Sequence, residues 1–449
     1  MSDRALMKDE EEKAVRRSSW AALGLAALSA IVSGLCGGPL AWDGAYYLFK
    51  ILDEGRPFAV GYRSTTAPLH WAVLAARRLT QDLAALRVVF GLAYALLPLL
   101  CLALCWLVVR RRKPQLFLWA VLAIGPGMLA GRLAYPSEAL TALDWCWPIV
   151  LLVLVRRVDR IVPAVLVAIF AALIFNLHPM AAPLMVMWAG LIGLRAWRTR
   201  ERSVWTWVLG AGLVVAAGAR MALVSTAYEK GALTLGTVKH FTRLSLWGWA
   251  GVGLGCTLLA GLLLVVGRKL PRWLPHALAL AGAIAFLLWA SDPTRWAQAL
   301  AFRAPALFCV APFAIFAAYE TLWGEGRTGW RRGGFLILVA AGAALALSVQ
   351  TLAWKRLTVR FSETIEASPS LCMDASEIGW LRGLPLDHWS SAALSVVLQE
   401  RKPRRLVLTV QKCSEAVAGE QLRLVDWELR SRQGGWFDLR EVGRADKAP

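Results

Sequence analysis

The chain has 449 residues, of which 58% are hydrophobic and only 18% are charged. Soluble globular proteins are usually about 45–50% apolar and about 25% charged, so the composition excludes an ordinary soluble domain. The formal net charge of +20 would suit a nucleic-acid partner, but the distribution of the charge argues against one.

Arginine and lysine are concentrated in short segments that separate long apolar runs. These segments are Arg110–Lys113, Arg156–Arg160, Arg195–Arg202, Arg268–Arg272 and Glu325–Arg332. Short cytoplasmic loops of membrane proteins carry such an excess of basic residues. The surplus therefore indicates orientation in a membrane, and no nucleic-acid partner is expected.

The chain opens with a charged segment, 1–19, that predicts a cytoplasmic tail. Apolar runs of roughly the 17–25 residues that cross a bilayer as a helix then recur, without strand-like alternation. We predict about 11 spans from them. The predicted spans are 20–38, 84–109, 115–131, 143–155, 161–176, 180–194, 204–226, 245–267, 273–290, 304–322 and 335–353. An odd number places the N-terminus in the cytoplasm and the C-terminus outside.

The first outside loop, 39–82, predicts two helices that lie on the membrane surface. The first covers "WDGAYYLFKILDEGRPF" and the second "TTAPLHWAVLAARRLT", with a threonine and a proline at its start. The side chains expected to face the membrane from the first helix are Tyr46, Tyr47, Phe49 and Leu52. Asp53 and Glu54 are expected to face water.

The tail 354–449 differs in composition from the preceding transmembrane region, 20–353. Its acidic and basic residues are nearly balanced, and "RRLVLTVQK" and "QLRLVDWELRSR" are strand-like. These features predict a small α/β domain outside the membrane. Cys372 and Cys413 lie in this tail, and the sequence leaves open whether they form a disulfide or remain two thiols.

The position of Asp43 after the first span, with Tyr46 and Tyr47 close behind and two surface helices following, resembles the GT-C superfamily of polytopic glycosyltransferases. The resemblance is to members like glycosyltransferase family 39 and covers about residues 20–200 as topology. It implies an all-α membrane fold with interfacial helices in the first outside loop. One departure is Gly44, where many members carry a second acid.

The resemblance implies that a sugar moves from a polyprenyl-phosphate-linked donor to a glycan, lipid or protein acceptor, with inversion at the anomeric carbon. Asp43 would act as general base, because a carboxylate can take the proton of the attacking hydroxyl. The alternative is that Asp43 caps a helix starting near Ala45. Glu138 is the second candidate catalytic acid, or else a helix-start acid that complements the helix dipole. A Mg²⁺ or Mn²⁺ ion is left open.

Several outside residues are candidates for binding the donor phosphate. They are Arg63, His178, Arg295 and Arg303, with Tyr46 as a further substrate contact. The forked guanidinium group of arginine matches the geometry of phosphate oxygens. Interfacial arginines also extend to lipid headgroups, and a lone interfacial histidine is often simply solvated. Both interpretations remain open.

Two other functional classes compete with a glycosyltransferase. A lipid or polysaccharide flippase or a transporter would use polar residues within the spans, for which Arg220 and Glu320 are the candidates, without obvious partners. Another membrane transferase, such as a polysaccharide ligase or acyltransferase, would need a histidine in a membrane funnel. The expected location is a bacterial inner membrane with the C-terminus periplasmic or extracellular.

Overall fold

The chain folds as an α-helical membrane protein in the computed structural model. The structure describes residues 3–59, 64–134, 136–158, 160–179, 181–201, 203–223, 248–266, 271, 273–296, 303–323, 329–370, 372–382, 384–386, 390–399, 405–408, 413, 417–418, 421–422, 436–437 and 439. Within them, 6 helices are long and apolar enough to cross a membrane. These are Glu12–Leu35, Leu83–Val109, Glu138–Val155, Val204–Ala222, Gly248–Val266 and Arg332–Ala367. The finer expectation of about 11 spans stays a prediction.

Every predicted span coincides with helix in the structure. The helices are α1 (Asp3–Leu35), α2 (Asp43–Glu54), α3 (Ala67–Leu79), α4 (Leu83–Ala95), α5 (Leu97–Val109), α6 (Phe117–Ile124), α7 (Glu138–Val155), α8 (Ile161–Phe175), α9 (Ala181–Thr199), α10 (Val204–Ala222), α11 (Gly248–Val266), α12 (Leu274–Ala290), α13 (Arg303–Leu322), α14 (Gly329–Ala367) and α15 (Ser391–Leu398). A 3₁₀ helix covers Gly38–Leu40 and another Pro126–Ala134.

The helix boundaries follow local sequence signals in several places. Proline occupies the first turn of α3, α5 and α12, where its missing N–H breaks no helical hydrogen bond. Several boundaries differ from the prediction. Helix α1 begins at Asp3, within the predicted tail, and α6 ends at Ile124, before the predicted span end. Helix α7 begins at Glu138, before the predicted span start, and α14 continues to Ala367, past the predicted domain boundary at residue 354.

The helices pack as a bundle with α7 at its centre, because 94% of α7 is buried against neighbouring helices. Helix α1 packs along α14 and α4, α11 along α12, and α9 along α10. Gly34 of α1 and Gly91 of α4 meet at one crossing, where a Cβ atom on Gly91 would lie 2.4 Å from the carbonyl oxygen of Gly34. Glycine at both positions therefore allows the two backbones to touch.

Basic loops gather at one end of the bundle, here called the arginine end and defined by Arg110–Lys113, Arg156–Arg160 and Arg195–Arg198. Arg195 donates to the carbonyl oxygens of Val153, at 2.5 Å, and Arg156. Lys113 reaches the carbonyl oxygen of Thr321 at 3.1 Å. These hydrogen bonds connect loops that belong to separate helix pairs. Loops can be connected in this way only if they lie on the same side of the bundle.

Glu320 also belongs to the arginine end, and the expectation that it lacks partners was wrong. It accepts a hydrogen bond from Trp119 Nε1 at 2.8 Å and forms an ion pair with Arg332. Arg220, the other polar candidate within a span, is fully buried in α10. Both partners of Glu320 are distant in sequence, which is why the sequence did not reveal them.

Helices α2 and α3 lie at the opposite end, here called the loop end and defined by α2, α3 and the 3₁₀ helix Gly38–Leu40. The predicted start of α3 is confirmed, since it begins at Ala67 with Thr66 at the cap position. Its location on the membrane surface stays a prediction. The prediction that Asp53 faces water was wrong, since only 5% of it is exposed and it accepts a bond from the Phe437 backbone at 3.4 Å. The ring of Phe49 stacks on that of Phe437, with centroids 5.1 Å apart. The C-terminal segment therefore covers Asp53. The expectation that Tyr47, Phe49 and Leu52 face the membrane was also wrong, because all three are buried within the protein.

The C-terminal segment after α14 contains short strands. Strand β1 (Cys372–Asp374) pairs in parallel with β2 (Leu406–Leu408), and β3 (Val417–Ala418) pairs antiparallel with β4 (Gln421–Leu422). Helix α15 lies between β1 and β2 in the chain and packs on β2 and α2. Cys372 and Cys413 form a disulfide, which decides the question that the sequence left open.

Candidate functional site

Two loops that are predicted to lie outside meet at the loop end, where a hydrogen bond joins them. The hydroxyl of Tyr47, on α2, donates to Oε1 of Glu138, the first residue of α7. Tyr47 and Glu138 are each 6% exposed. Asp43, in the first turn of α2, is half-buried and acts electrostatically on the same Tyr47 hydroxyl. The two candidate catalytic acids, Asp43 and Glu138, therefore both lie next to Tyr47.

Asp43 is the first residue of α2, not the residue that caps it. The cap position is held by Trp42, which makes no side-chain capping bond. The carboxylate of Asp43 therefore lies where it complements the positive end of the helix dipole. Because it is half-buried while Glu138 is buried, Asp43 is the more accessible of the two carboxylates.

The backbone immediately before Asp43 is strained. Trp42 has φ 60° and ψ −125°, a region that bulky residues rarely adopt. Such conformations persist only where surrounding structure imposes them, and they occur often at functional sites. Trp42 is itself 5% exposed, so packing holds the turn that presents Asp43.

Gly44 explains why no second acid can stand beside Asp43. A Cβ atom on Gly44 would lie 1.7 Å from the carbonyl oxygen of Pro39 and 2.8 Å from Cδ of Pro136. Three segments touch here: the 3₁₀ helix after α1, the start of α2 and the turn before α7. The departure from the family pattern is therefore imposed by close packing of the two loops.

A second group of polar side chains lies next to Tyr47. His70 of α3 is 1% exposed, and its Nε2 lies 2.6 Å from the hydroxyl of Tyr94 on α4. The Tyr94 hydroxyl also hydrogen-bonds to Thr66. The rings of His70 and Tyr47 have centroids 6.3 Å apart. Nδ1 of His70 is buried without a hydrogen-bond partner among the described residues.

The protonation states in this cluster follow from burial. Burial, followed by the negative charges of Glu138 and Asp43, raises the pKa of Tyr47 well above its usual value. Tyr47 therefore remains a neutral donor to Glu138. Burial lowers the pKa of His70 to about 4, so the imidazole is neutral at physiological pH. Tyr47 and His70 therefore contribute no charge to the cluster.

Asp144 does not join these acids. It lies on α7 and forms a bidentate ion pair with Arg132, with N–O distances of 2.7 and 2.8 Å. Arg132 also donates to the carbonyl oxygen of Ile124 at 2.6 Å. This buried pair anchors the 3₁₀ helix Pro126–Ala134 to α7 and so fixes the turn before Glu138.

An apolar cleft leads from the bundle to the loop end. It lies between α1, α5, α6 and α14 and has a cavity volume of about 90 Å³. Small side chains such as Ala26, Ala30 and Ala344 line it, and Pro39 and Arg132 also border it. Pro39, at the border of the cleft, packs against Gly44, the residue after Asp43, whereas Asp43 itself does not line the cleft.

The predicted phosphate-binding residues are distributed differently. Tyr46 is half-buried on α2, with its ring 5.6 Å from that of Phe58 and 5.7 Å from the Lys50 ammonium. His178 is half-buried in the turn before α9. Their roles as substrate contacts stay predictions.

The three candidate arginines differ in how much of each the structure describes. Arg295 pairs with Asp292 at 2.7 Å in the turn after α12. The hydroxyl of Thr294, with Arg295, lowers the pKa of Asp292. Arg303 is the first residue of α13, but its side chain, like all of Arg63, lies outside the described residues. A phosphate at Arg295 would have to compete with Asp292.

Sequence reasoning missed His70, Tyr94 and Thr66, which the fold places beside Tyr47. A usable signal was present, since histidine and threonine on a surface helix rich in alanine and leucine are unusual. Tyr94, within an apolar span, offers a polar group that requires a partner in the membrane. Nothing in the sequence indicates which residues these groups contact.

The described residues do not fit the metal ion that the resemblance left open. They bring no three histidine, cysteine, aspartate or glutamate side chains close enough to hold an ion. Gly44 also leaves no space for a carboxylate adjacent to Asp43. We therefore derive no step through a metal.

Comparison with known proteins finds no family model, no curated protein and no solved structure that matches this chain. The function is therefore inferred from the residues and their geometry.

Proposed function

We propose that this chain is a membrane glycosyltransferase of the GT-C type, which moves a sugar from a polyprenyl-phosphate donor to an acceptor hydroxyl at the non-cytoplasmic face. The observation that carries the proposal is the half-buried carboxylate of Asp43 beside the Tyr47–Glu138 pair. The apolar cleft that reaches Pro39 supports it, because an isoprenoid chain needs an apolar path at bilayer depth.

In this reaction the acceptor oxygen attacks the anomeric carbon of the sugar. The bond from that carbon to the phosphate oxygen breaks, and its electron pair leaves with the polyprenyl phosphate. Asp43 takes the proton of the acceptor hydroxyl. Glu138 holds the Tyr47 hydroxyl in place, and Tyr47 in turn borders the space in front of Asp43.

The test uses purified full-length protein with a panel of radiolabelled polyprenyl-phosphate sugars. Asp43→Asn should lower transfer by about 10²–10⁴-fold, the usual contribution of a general base. Glu54→Gln is the matched control, because it removes the same charge from the other end of α2. It should retain the wild-type rate.

Two results would count against the proposal. One is the absence of transfer or hydrolysis with every donor in the panel. The other is equal transfer by Asp43→Asn and the wild type. Loss of function in variants of Arg220 or Glu320, with Asp43→Asn unaffected, would favour a flippase or transporter.

A further inference from the structure

A groove at the arginine end, remote from Asp43, is bounded by α5, α7 and α8. Its wall is apolar and includes Leu107, Leu152 and Leu166. Its rim carries four arginines: Arg112, Arg156, Arg157 and Arg160. The groove has a cavity volume of about 680 Å³, in the upper part of the roughly 300–1,000 Å³ of pockets for drug-sized ligands. The groove therefore suits a large ligand with a long apolar part and an anionic group.

The rim keeps an excess of positive charge. Among the described residues, Glu201 is the carboxylate within ion-pair distance of it, at 3.9 Å from Nε of Arg157. Glu201 is shared, because it also lies 3.4 Å from Arg195. Asp159, in the same segment as three of the arginines, lies outside the described residues. One shared carboxylate offsets only part of the charge of four arginines.

The apolar wall of the groove favours a lipid over a free anion as the ligand. Ile161 and Val162, at the start of α8, are 78% and 65% exposed, and a free phosphate ion would leave these side chains uncovered. An acyl chain would cover them, while guanidinium groups suit phosphate oxygens. Basic pockets between transmembrane helices on the cytoplasmic side bind anionic headgroups in this way.

We propose that this groove binds an anionic phospholipid of the cytoplasmic leaflet. Its phosphodiester lies against Arg112, Arg156 and Arg160, and its acyl chains run along α5 and α8. Arg157 contributes less, because Glu201 already engages it. The site is independent of the proposed transferase activity, and it would fix the turn between α7 and α8.

Binding can be measured by native mass spectrometry of the purified full-length protein titrated with phosphatidylglycerol or phosphatidylcholine. The wild type should prefer phosphatidylglycerol, and excess inorganic phosphate should not displace it. The triple variant R112Q/R156Q/R160Q should bind phosphatidylglycerol on the order of 100-fold more weakly, since each arginine near an anionic headgroup contributes about fivefold.

The matched control is R17Q/R111Q/R200Q, which removes the same charge from exposed arginines that do not line the groove. It should keep the wild-type affinity. Equal weakening in both triple variants would indicate diffuse attraction and overturn the proposal, as would displacement by inorganic phosphate. Leu166→Trp fills the apolar wall and leaves the arginines intact, so it should also weaken lipid binding. Unchanged binding in that variant contradicts the placement of the acyl chains.

Discussion

At the residue scale, the site depends on contacts that individual side chains make across two loops. Tyr47 and Glu138 are 91 positions apart, yet their hydrogen bond joins two loops that are predicted to lie outside. The sequence indicated Asp43, Glu138 and Tyr46 as candidate site residues, and it placed Tyr47 on the membrane-facing side of its helix. It could not distinguish Tyr46 from Tyr47, because adjacent residues on a helix point in different directions and only packing shows which one turns inward.

Gly44→Ala should destabilise the loop end and abolish activity. The added methyl group would overlap the carbonyl of Pro39, so the start of α2 would have to move away from the turn before α7. The measurement is the melting temperature in detergent together with transfer activity. Gly24→Ala is the control, since a Cβ atom there meets no atom within 4 Å. An unchanged melting temperature in Gly44→Ala would contradict the close packing of these loops.

His70 should make stability depend on pH. Its folded pKa of about 4 lies below the unfolded value of about 6.5. Between these values the unfolded chain binds a proton that the folded chain excludes, so stability falls as the pH is lowered from about 6.5 to about 4. The loss is up to about 3 kcal/mol. Thermal unfolding across this range should show the fall, and His70→Gln should reduce it. An identical profile in the variant would assign the pH dependence to other groups.

At the scale of elements, the hydropathy pattern identified the helices because burial in lipid requires a continuous apolar run. The contacts between helices cannot be predicted from the hydropathy pattern. Helix α2 reads as amphipathic, yet Asp53 on its polar side is covered by the C-terminal segment and bound by the Phe437 backbone. Local periodicity shows that one face of a helix differs from the other, and it does not show what covers each face.

The buried Arg132–Asp144 pair should be essential for the position of α7. Arg132→Met leaves the Asp144 carboxylate buried without its guanidinium partner, at an expected cost of about 3–5 kcal/mol. The double variant R132M/D144L should recover much of that loss, because it removes both charges. Melting temperatures in detergent would measure both effects.

The comparison for this pair is Arg295→Met, which breaks the more exposed pair with Asp292. That change should cost about 0–1 kcal/mol. If R132M and R295M lower stability equally, the buried pair does not have the anchoring role assigned to it.

At the scale of the whole molecule, the three basic loops Arg110–Lys113, Arg156–Arg160 and Arg195–Arg198 lie at one end of the described bundle, and the candidate site lies at the other. Hydrogen bonds between Lys113 and Thr321 and between Arg195 and Val153 join loops that the sequence predicted to share one side. This arrangement agrees with the positive-inside pattern. The orientation of the termini remains a prediction.

Reporter fusions can test that orientation. Green fluorescent protein fused after Lys113 should fluoresce, because that loop is predicted in the cytoplasm. Alkaline phosphatase fused after Asp82 and after Pro449 should be active, because both positions are predicted outside. A fluorescent fusion after Pro449 would show an even number of crossings and contradict the topology.

The sequence by itself determined the class of the protein, the location of its helices and the segregation of basic loops, because hydropathy and charge act locally along the chain. Only the tertiary structure decided that Asp43 and Glu138 share Tyr47, that Asp144 pairs with Arg132 and that Gly44 has no space for a side chain. Those facts depend on residues that are distant in sequence and adjacent in space. Such adjacency follows from how the helices pack, and no single segment contains it.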